Sequence, residues 1–392
     1  MQLHVNWLSD QSDTFQPMML RIEDGRAASL TPAQGCDPGV LYLTDGFIDS
    51  HAHVYDGATD LGIPVDDIGY KTGVHLVIDA GSAGAINYPC FRKYVMPRQQ
   101  TPVKVFLNIG RAGLVSKQPY FDERLIDPAA AEGCIAAYGR DAILGIKVLS
   151  SGLIVEHQGI RPMEIAAQTA ERLGVPLMAH LVEGPPTNED TMRLMKRGDI
   201  ITHCFHGAPN LDANRKASRG VPLRMEYCHL GNVMWNPDGT PTAPLLDALE
   251  RGVRLDVGHG SGSFDQDVAA TVIRTGFTDF SISTDAHIRS VNSIVHSLPH
   301  VMSKFLALGM PLARVVRSVT TIPARNLGLS DWCAHPLERA TLFRLRGLRP
   351  TDPEFLDSNR RPMDVRQVIE PIAIICNGRY TPLEGVKGII GE

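Results

Sequence analysis

The sequence predicts an α/β fold: a (β/α)8 TIM barrel with a small β-sandwich domain formed from both termini. Between residues 46 and 290, a short apolar, β-branched run followed by a helix-compatible stretch recurs eight times, which is the repeat of such a barrel. Most runs are almost continuously hydrophobic, as in parallel strands that are buried on both faces. No GxGxxG motif follows the first run, so a closed barrel is favoured over an open doubly wound sheet.

Each predicted strand ends close to Gly, Ser, Asp or His. In chain order the strands are Gly46–His53, Val74–Gly81, Val103–Gly110, Ile143–Ser151, Val175–Leu181, Asp199–Gly207, Val253–Gly260 and Asp279–His287. Helical stretches lie between them. Met163–Leu173 places Ile165, Ala166 and Thr169 at helical spacing, and Pro244–Arg251 is a second such stretch.

The two ends of the chain have a different pattern. Leu3–Val5 and Leu20–Ile22 are short strand-like pieces near the N-terminus, and Ala340–Leu345 and Pro371–Cys376 are their counterparts near the C-terminus. Asn377-Gly378 then predicts a hairpin turn. We therefore expect residues 1–45 and 336–392 to form one small β-domain beside a barrel domain of residues 46–335.

Composition excludes several classes of protein. The chain is 43% hydrophobic and 21% charged, with a net charge of −5, so it has no basic field for nucleic acid. No apolar run approaches the ~18–20 residues of a membrane helix, and no signal peptide is expected. Seven cysteines without a CxxC pair argue against a disulfide framework. We expect a cytoplasmic protein that acts on a small-molecule substrate.

Potential metal ligands lie at or near the ends of five predicted strands. In a TIM barrel, catalytic groups cluster at the C-terminal ends of the strands. Two imidazoles on the first strand are separated by one residue, so both point to the same side. The full set is His51, His53, Lys147, His180, His203 and Asp285.

Each of these residues alone has a plain structural interpretation. A single histidine at a strand end is more often a hydrogen-bonded structural residue than a ligand, and Lys147 could extend its charged end to solvent. A charged lysine that faces a barrel interior is costly unless it is neutralised or paired. Five strand ends with this chemistry in one barrel therefore predict a metal site.

These motifs resemble those of a known superfamily. Gly46–His53 resembles the first-strand motif GxxDxHxH of the amidohydrolase superfamily. The order His-x-His, Lys, His, His, Asp is similar to its binuclear subtype, which includes dihydroorotase, hydantoinase and phosphotriesterase. Four further segments resemble a dihydroorotase-like, deacetylase-family branch, some of whose members cleave acetyl groups from α-hydroxy or α-amino acids. These segments are Val77–Gly84, Thr202–Phe205, Leu255–Gly260 and Ser281–Asp285.

The resemblance implies two divalent metal ions bridged by a carboxylated Lys147. His51, His53 and Asp285 would complete one metal site, and His180 and His203 the other. The nitrogen and oxygen donors suit Zn²⁺, which is the default expectation, and also Mn, Co or Fe. A hydroxide that bridges the ions would attack the substrate carbonyl, and Asp285 would transfer its proton to the leaving group.

Other residues are candidates by their position alone. Three histidines are expected to contact substrate: His259, His206 and His287. Asp79 either orients a ligand histidine or caps the next helix, and Glu183 either touches substrate or is solvated. Arg111 and Arg289 follow strands 3 and 8 and are the candidates for binding a substrate carboxylate.

Three functions stay open on the sequence. The leading hypothesis is a deacetylase or deacylase that cleaves an acyl C–N or C–O bond of small N- or O-acylated amino or hydroxy acids. The first alternative is a cyclic amidohydrolase of the dihydroorotase or hydantoinase type. The second is a non-catalytic scaffold relative, which the complete ligand set disfavours. A homo-oligomer is left open, and neither nucleic acid nor membrane is expected as a partner.

Overall fold

A computed structural model describes residues 1–9, 12–33, 41–115, 118–182, 184–207 and 233–383. Its central sheet contains seven strands, each hydrogen-bonded in parallel to the next along the chain. They are β5 (Phe47–Ala52), β6 (Val74–Gly84), β7 (Val103–Asn108), β8 (Ile143–Leu149), β9 (Leu177–His180), β10 (Ile200–Thr202) and β11 (Arg254–Asp256).

The eighth predicted strand completes the ring without forming a regular strand. Isolated bridges join Ser281 to Asp256 of β11 and Ala286 to Ala52 of β5. The backbone N–H of Asp285 donates to the carbonyl of His51 at 2.7 Å. The predicted barrel is therefore confirmed, and its last segment is irregular because Asp285 has a φ of +46°, which a continuous ladder does not tolerate.

The helices pack outside the barrel. Both predicted helices are confirmed, at Arg161–Leu173 and Ala243–Glu250. The other α-helices within the described ranges are Tyr88–Cys90, Pro128–Tyr138, Gly152–Val155, Asn188–Arg193, Gln266–Arg274, Leu298–Ala307, Leu312–Arg317 and Thr321–Asn326. A π-helical turn covers Phe91–Val95, and short 3-10 turns lie at Val65–Asp67, Tyr70–Thr72, Met96–Arg98, Gly113–Val115, Glu123–Leu125 and Glu156–Gln158.

Strands from both ends of the chain form the predicted β-domain. They are β1 (Gln2–Trp7), β2 (Gln16–Glu23), β3 (Arg26–Pro32), β4 (Tyr42–Asp45), β12 (Arg339–Gly347), β13 (Gln367–Cys376) and β14 (Arg379–Pro382). Their order is β1-β2-β3-β14-β13-β12-β4, and β1 also pairs with β4, so the domain takes the form of one closed sheet. The predicted turn Asn377-Gly378 joins β13 to β14 with φ values of +50° and +75°, as a tight hairpin requires.

The barrel interior is apolar on the side where the strands begin. A buried cluster there includes Ile48, Ile78, Phe106 and Met178, against which Ala324 packs from the chain that follows the eighth segment. Burying an aliphatic or aromatic side chain of this size contributes roughly 1.5–3 kcal/mol. This cluster forms a packed floor, so the polar side chains of the barrel collect at the opposite end, where the strands finish.

Buried hydrogen bonds join the parallel barrel to the terminal sheet. His75 Nε2 on β6 lies 3.0 Å from the carbonyl oxygen of Ala340 on β12. The hydroxyl of Thr341 donates to the carbonyl of Gly73 at 2.8 Å. Burial lowers the pKa of His75 to about 3, so this imidazole is neutral and Nε2 is the donor to Ala340.

Crossing a bilayer takes a long apolar helix, and none of the helices in the described ranges qualifies.

Candidate metal centre

The six predicted ligands come together where the barrel strands end. One ligand atom each from His51, His53 and Asp285 lies within 4.8 Å of the other two. Asp285 Oδ1 is 3.2 Å from His53 Nε2 and 3.5 Å from His51 Nε2. The geometry agrees with two imidazoles of one strand sharing a site with a carboxylate from the opposite end of the barrel sequence.

The other predicted ligands border this group. The ring of His203 is 5.2 Å from that of His51 and 4.4 Å from that of His180, measured between centroids. Lys147 is close enough that its charge lowers the pKa of His51, His180 and His203. The structure therefore places all six side chains in one neighbourhood at the barrel mouth.

Unusual backbone conformations aim two of the ligands into the cluster. His203 has a φ of +71° and Asp285 a φ of +46°, a region that non-glycine residues rarely occupy and that tends to occur at functional sites. The turn after β11 leaves room for both. A Cβ on Gly258 would lie 2.8 Å from His203 Nδ1, and one on Gly260 would lie 2.2 Å from Asp285 Oδ2.

Three of the imidazoles are held from behind by a hydrogen bond. His51 Nδ1 lies 2.8 Å from the Thr202 hydroxyl, which itself donates to Asp256. His203 Nδ1 lies 2.7 Å from the carbonyl oxygen of Gly258. In both residues Nδ1 is therefore the donor and Nε2 keeps a free lone pair, the arrangement typical of metal-binding histidines.

His53 is held in the same way from β6. Its Nδ1 lies 3.0 Å from the hydroxyl of Ser82. Asp79 accepts hydrogen bonds from the backbone N–H groups of Ser82 at 2.8 Å and of Val54 at 2.9 Å. Asp79 thus orients His53 through its neighbours, which agrees with the first of its two predicted roles rather than with a helix cap.

Asp256 of β11 organises the layer beneath the ligands. Its carboxylate accepts hydrogen bonds of 2.6–2.8 Å from four hydroxyl groups, those of Ser50, Thr202, Ser281 and Ser283. Burial alone would raise the pKa of Asp256, but the contacts with His51, Ser281 and Thr202 hold it at about 2. A permanent negative charge therefore lies behind His51.

Asp49 of the first-strand motif ties the last barrel segment to β5. It accepts bonds from the backbone N–H of Thr284 at 3.0 Å and from the Thr284 hydroxyl at 2.5 Å. Burial raises the pKa of Asp49 to about 7. Its role in this structure is to position the residue before Asp285.

The electrostatics keep His180 and His203 neutral and Asp285 anionic. Burial, followed by the charges of Asp285, His51 and Lys147, sets the pKa of His203 at about 3, and burial lowers the pKa of His180 well below its usual value. Burial by itself would raise the pKa of Asp285, but His51 and His53 hold it well below its ordinary value. Neutral imidazoles and a carboxylate are the protonation states that metal binding requires.

The surroundings of the Lys147 amine indicate whether the cluster fits a metal ion. It is fully buried on β8, and its Nζ has no hydrogen-bond partner in the described parts of the chain. Burial lowers the pKa of Lys147 to about 8, so a neutral amine is readily accessible there. An orphaned buried amine between imidazoles is unfavourable as it stands, whereas its carbamate would supply the anionic oxygens that two cations need.

The three histidines expected to contact substrate have different surroundings. His259 is fully buried, and its two ring nitrogens lie 2.9 Å from the Gly260 carbonyl oxygen and from Lys304 Nζ. Both nitrogens therefore have protein partners, and neither is available to a substrate. Burial lowers the pKa of His206 to about 4, and neither ring nitrogen of His206 has a partner within the described ranges. His287 has its ring 6.3 Å from that of His53, and its Nδ1 accepts from the backbone of Arg289.

The candidate arginines are exposed to solvent rather than buried at the cluster. Arg289 forms a surface ion pair of 2.5 Å with Asp60, and Arg111 is exposed. Neither is a buried clamp for a carboxylate. Glu183 lies outside the described residues.

Sequence reasoning missed the supporting layer. Thr202 and Asp256 both lie within the segments that carry the family resemblance, yet only the neighbouring histidines were assigned roles. The available signal was a polar side chain inside an almost fully apolar strand, because such a group needs a buried partner.

Comparison with known proteins agrees with this geometry. No family model matches the chain. It is 31% identical to a deacetylase of Agrobacterium fabrum, over 92% of this chain and 86% of that protein. The crystal structure of a dihydroorotase matches with a TM-score of 0.77 and 29% identity over 97% of both chains.

The chain belongs to the amidohydrolase superfamily. A second solved structure, that of an adenine deaminase, matches this amidohydrolase with a TM-score of 0.78 and 27% identity, over 96% of this chain and 98% of that one. The protein is a hydrolytic enzyme. The names of these relatives differ in the bond that is cleaved, so the substrate has to be argued from the site.

Proposed function

We propose that this amidohydrolase is a metal-dependent deacylase that removes the acyl group, in the first instance acetyl, from small N- or O-acylated amino or hydroxy acids. Its reaction is the hydrolysis of an acyl C–N or C–O bond. The likeness to a deacetylase over most of the chain supports this choice.

One observation carries the metal-dependent part of the proposal. His51, His53 and Asp285 place their ligand atoms within 4.8 Å of one another, beside a lysine amine that is fully buried and without a hydrogen-bond partner among the described residues. The donor set fits two divalent ions, most simply Zn²⁺, with Lys147 as a bridging carbamate. His51, His53 and Asp285 would hold one ion, and His180 and His203 the other.

Different residues of the chain would carry out different parts of this hydrolysis. When bound, divalent ions lower the pKa of water at the site and polarise an acyl oxygen. Asp285 accepts the proton of the attacking water, since it is ionised at neutral pH and its carboxylate faces the cluster. It then passes this proton to the departing amine or alkoxide, which leaves as a neutral molecule.

His287 is proposed to orient the substrate. Its Nδ1 accepts a hydrogen bond from the Arg289 backbone N–H at 3.2 Å. The neutral ring therefore carries its proton on Nε2, and this N–H is available as a donor to a substrate oxygen. His206 is retained as a second polar contact because its ring is buried three residues after His203 and has no partner in the described ranges.

The likeness to a dihydroorotase favours a second candidate, the opening of a cyclic amide. The same attack on an amide carbonyl opens a ring, so the ligand cluster does not separate the two reactions. No buried arginine clamp lies near the cluster among the described residues, and this bears equally on the carboxylate of dihydroorotate and on that of an acylated amino or hydroxy acid. The deacylase stands first because the relatives of 30–32% identity are deacetylases.

A substrate panel tests the proposal. Enzyme loaded with Zn²⁺ in bicarbonate buffer is assayed against N-acetyl and O-acetyl derivatives of D- and L-amino and hydroxy acids, dihydroorotate, hydantoins and adenine. Release of acetate is expected. Ring opening without acetate release would transfer the function to the second candidate, ammonia from adenine would overturn both, and a chain that holds metal but converts nothing would favour a scaffold.

A further inference from the structure

A buried lysine lies behind the candidate metal centre and takes no part in the proposed reaction. Lys304, in the helix Leu298–Ala307, has no exposed surface, and neither has His259 in the turn after β11. Lys304 Nζ lies 2.9 Å from His259 Nε2. A lysine is almost never fully buried unless it is paired, and here its partner is a base rather than an acid.

The hydrogen bonds around this pair fix the number of its protons. Lys304 Nζ also lies 2.7 Å from the carbonyl oxygens of Ile294 and of Leu356. Because a carbonyl can only accept, two N–H bonds of Nζ point at these oxygens. His259 Nδ1 lies 2.9 Å from the carbonyl oxygen of Gly260, so Nδ1 carries a hydrogen for the same reason.

One further proton then lies between Nζ and Nε2. Without it, two lone pairs would face each other across 2.9 Å. An amine is intrinsically more basic than an imidazole, so the proton resides on Lys304 and Nε2 accepts it. Each polar atom of the pair is then satisfied, and the pair carries a single positive charge.

The Gly260 carbonyl oxygen accepts the hydrogen bond from His259, and Gly260 belongs to the wall of the metal centre. The backbone N–H of Gly260 donates to the carbonyl of Thr284 at 2.9 Å. A Cβ on Gly260 would stand 2.2 Å from Asp285 Oδ2, so the Gly260 backbone packs directly on the carboxylate. The Ser358 hydroxyl is a second and longer donor to the Gly260 carbonyl, at 3.4 Å, which leaves His259 as the closer support.

We infer that Lys304 is a positioning residue for Asp285. Its ammonium donates to Nε2 of His259 and thereby fixes the imidazole proton on Nδ1, and the Nδ1–H bond to Gly260 keeps that turn packed against the Asp285 carboxylate. A hydrogen bond at one ring nitrogen selects the tautomer at the other. The inference rests on the proposed function where it concerns turnover, and on the hydrogen bonds alone where it concerns the tautomer.

The other charged and titratable groups around the pair come from several elements. Burial lowers the pKa of Lys304 well below its usual value, against the charge of Asp357, which raises it. Burial and the charge of Lys304 lower the pKa of His259 in the same way, against the Gly260 hydrogen bond and the charge of Asp285, which raise it. Lys304 in turn lowers the pKa of His296 and His300. The ring of His259 is also stacked on Phe264, at 4.4 Å between centroids, so rotation of the ring is obstructed.

Two replacements of His259 separate the two hydrogen bonds. The side-chain amide of H259N occupies the place of Nδ1, so it can still donate to Gly260 but no longer reaches Lys304. The longer H259Q places its amide near Nε2, so it can contact Lys304 but not Gly260. We expect kcat of H259Q to fall by roughly 10- to 100-fold, the range for outer partners of a metal site, with KM and metal content unchanged, and H259N to keep most of kcat.

A double-mutant cycle tests whether Lys304 acts through the tautomer. K304M should lower kcat by roughly 10- to 100-fold in the wild-type background. In the H259N background, where no tautomer exists, K304M should change kcat by less than about threefold. An equal loss in both backgrounds would mean a general structural role and would overturn the inference, and so would full activity of H259Q.

Nitrogen spectra of the wild-type enzyme measure the tautomer of His259 directly. With ¹⁵N-labelled histidine, and with H259N to assign the signals, His259 should be a neutral Nδ1–H tautomer from pH 6 to 9. An Nε2–H tautomer would overturn the inference. If the substrate panel yields no turnover, the proposed function fails, yet these spectra still decide the tautomer.

Discussion

Two groups of ligands in the candidate centre differ in what supports them. The rings of His51, His53 and His203 are each held by a hydrogen bond on Nδ1. Lys147 and His180 have no side-chain hydrogen bond within the described residues, although both belong to the same cluster. In the proposed centre, the first group would be oriented by the protein before any ion arrives, whereas the second would be completed by the ions and by CO2.

The supported group owes its order to groups outside the cluster. The carboxylates of Asp256 and Asp79 anchor Thr202 and Ser82, and these anchor the rings. Preorientation of this kind reduces the free energy that is spent when the ligands are assembled. The unsupported group instead offers a buried amine whose pKa is lowered to about 8, which favours reaction of the neutral amine with CO2.

Asp285 contacts His51 and His53 of the supported group, and its replacement should have the largest effect. Asp285→Asn keeps the shape but cannot accept a proton, so we expect kcat to fall by roughly 10³- to 10⁴-fold, the upper range for a general acid–base group. Metal content, measured by plasma mass spectrometry, should be largely retained. The surface variant Asp331→Asn serves as the control. Undiminished turnover in Asp285→Asn would refute its role in proton transfer.

Replacement of Lys147 tests the unsupported group. Lys147→Met removes the proposed bridging anion, and we expect kcat to fall by roughly 10²- to 10³-fold, more than for loss of an outer partner, together with the loss of metal. A short-chain carboxylate added to this variant should restore part of the activity because it can take the place of the carbamate. The exposed Lys93→Met is the matched control. Normal metal content and activity in Lys147→Met would contradict the bridging role.

Replacement of Asp256 tests the supported group. Asp256→Asn leaves His51 and Thr202 without the anion behind them, and we expect kcat or metal affinity to fall by roughly 10- to 100-fold. Asp199 is a matched control, since it is also buried but accepts backbone N–H bonds from Leu177 and Lys196 at the opposite ends of the strands. Asp199→Asn should lower the unfolding temperature without changing kcat. Equal effects of the two variants on kcat would argue against a specific role for Asp256.

A buried histidine outside the centre gives the smallest predicted effect. The pKa of His75 is about 3 in the folded chain and about 6.5 when unfolded. Below pH 6.5 the unfolded chain therefore binds a proton that the folded chain does not, and the free energy of unfolding falls as pH decreases. Between pH 7 and pH 5 this contribution is about 2 kcal/mol.

Denaturant unfolding of the chelator-treated protein measures this effect. His75→Gln cannot take up the proton, so its free energy of unfolding should depend less on pH over the same interval. An identical pH dependence in both proteins would show that His75 is charged in the folded chain. In that case His75 would differ in protonation state from the buried, neutral His180 and His203 of the cluster.

The sequence was sufficient for the parts of the site that lie on regular strands. His51, Lys147 and His180 stand out because each interrupts a nearly continuous apolar run, and parallel strands all finish at one end of a barrel. The superfamily motifs supplied the order of the ligands, which no single residue indicates.

The parts of the site that lie on irregular backbone could not be predicted from the sequence. Asp279–His287 is predicted as a strand, but the positive φ of Asp285 turns this segment into isolated bridges. His259 is predicted to contact substrate from its position alone, whereas φ values of +47° and +51° at Gly258 and Gly260 accompany a turn that directs the imidazole inward. The partner of His259, Lys304, lies 45 residues further along the chain, in a helix whose sequence gives no indication of the contact.

The metal content of the purified enzyme tests the central claim, that six side chains from five places in the barrel sequence hold two ions. The protein is loaded with Zn²⁺ in bicarbonate buffer, freed of excess metal and analysed by plasma mass spectrometry beside Lys147→Met. The account predicts about two equivalents per wild-type chain, as for a two-metal hydrolytic site, and a clear loss in the variant. A wild-type chain that retains no metal would contradict it.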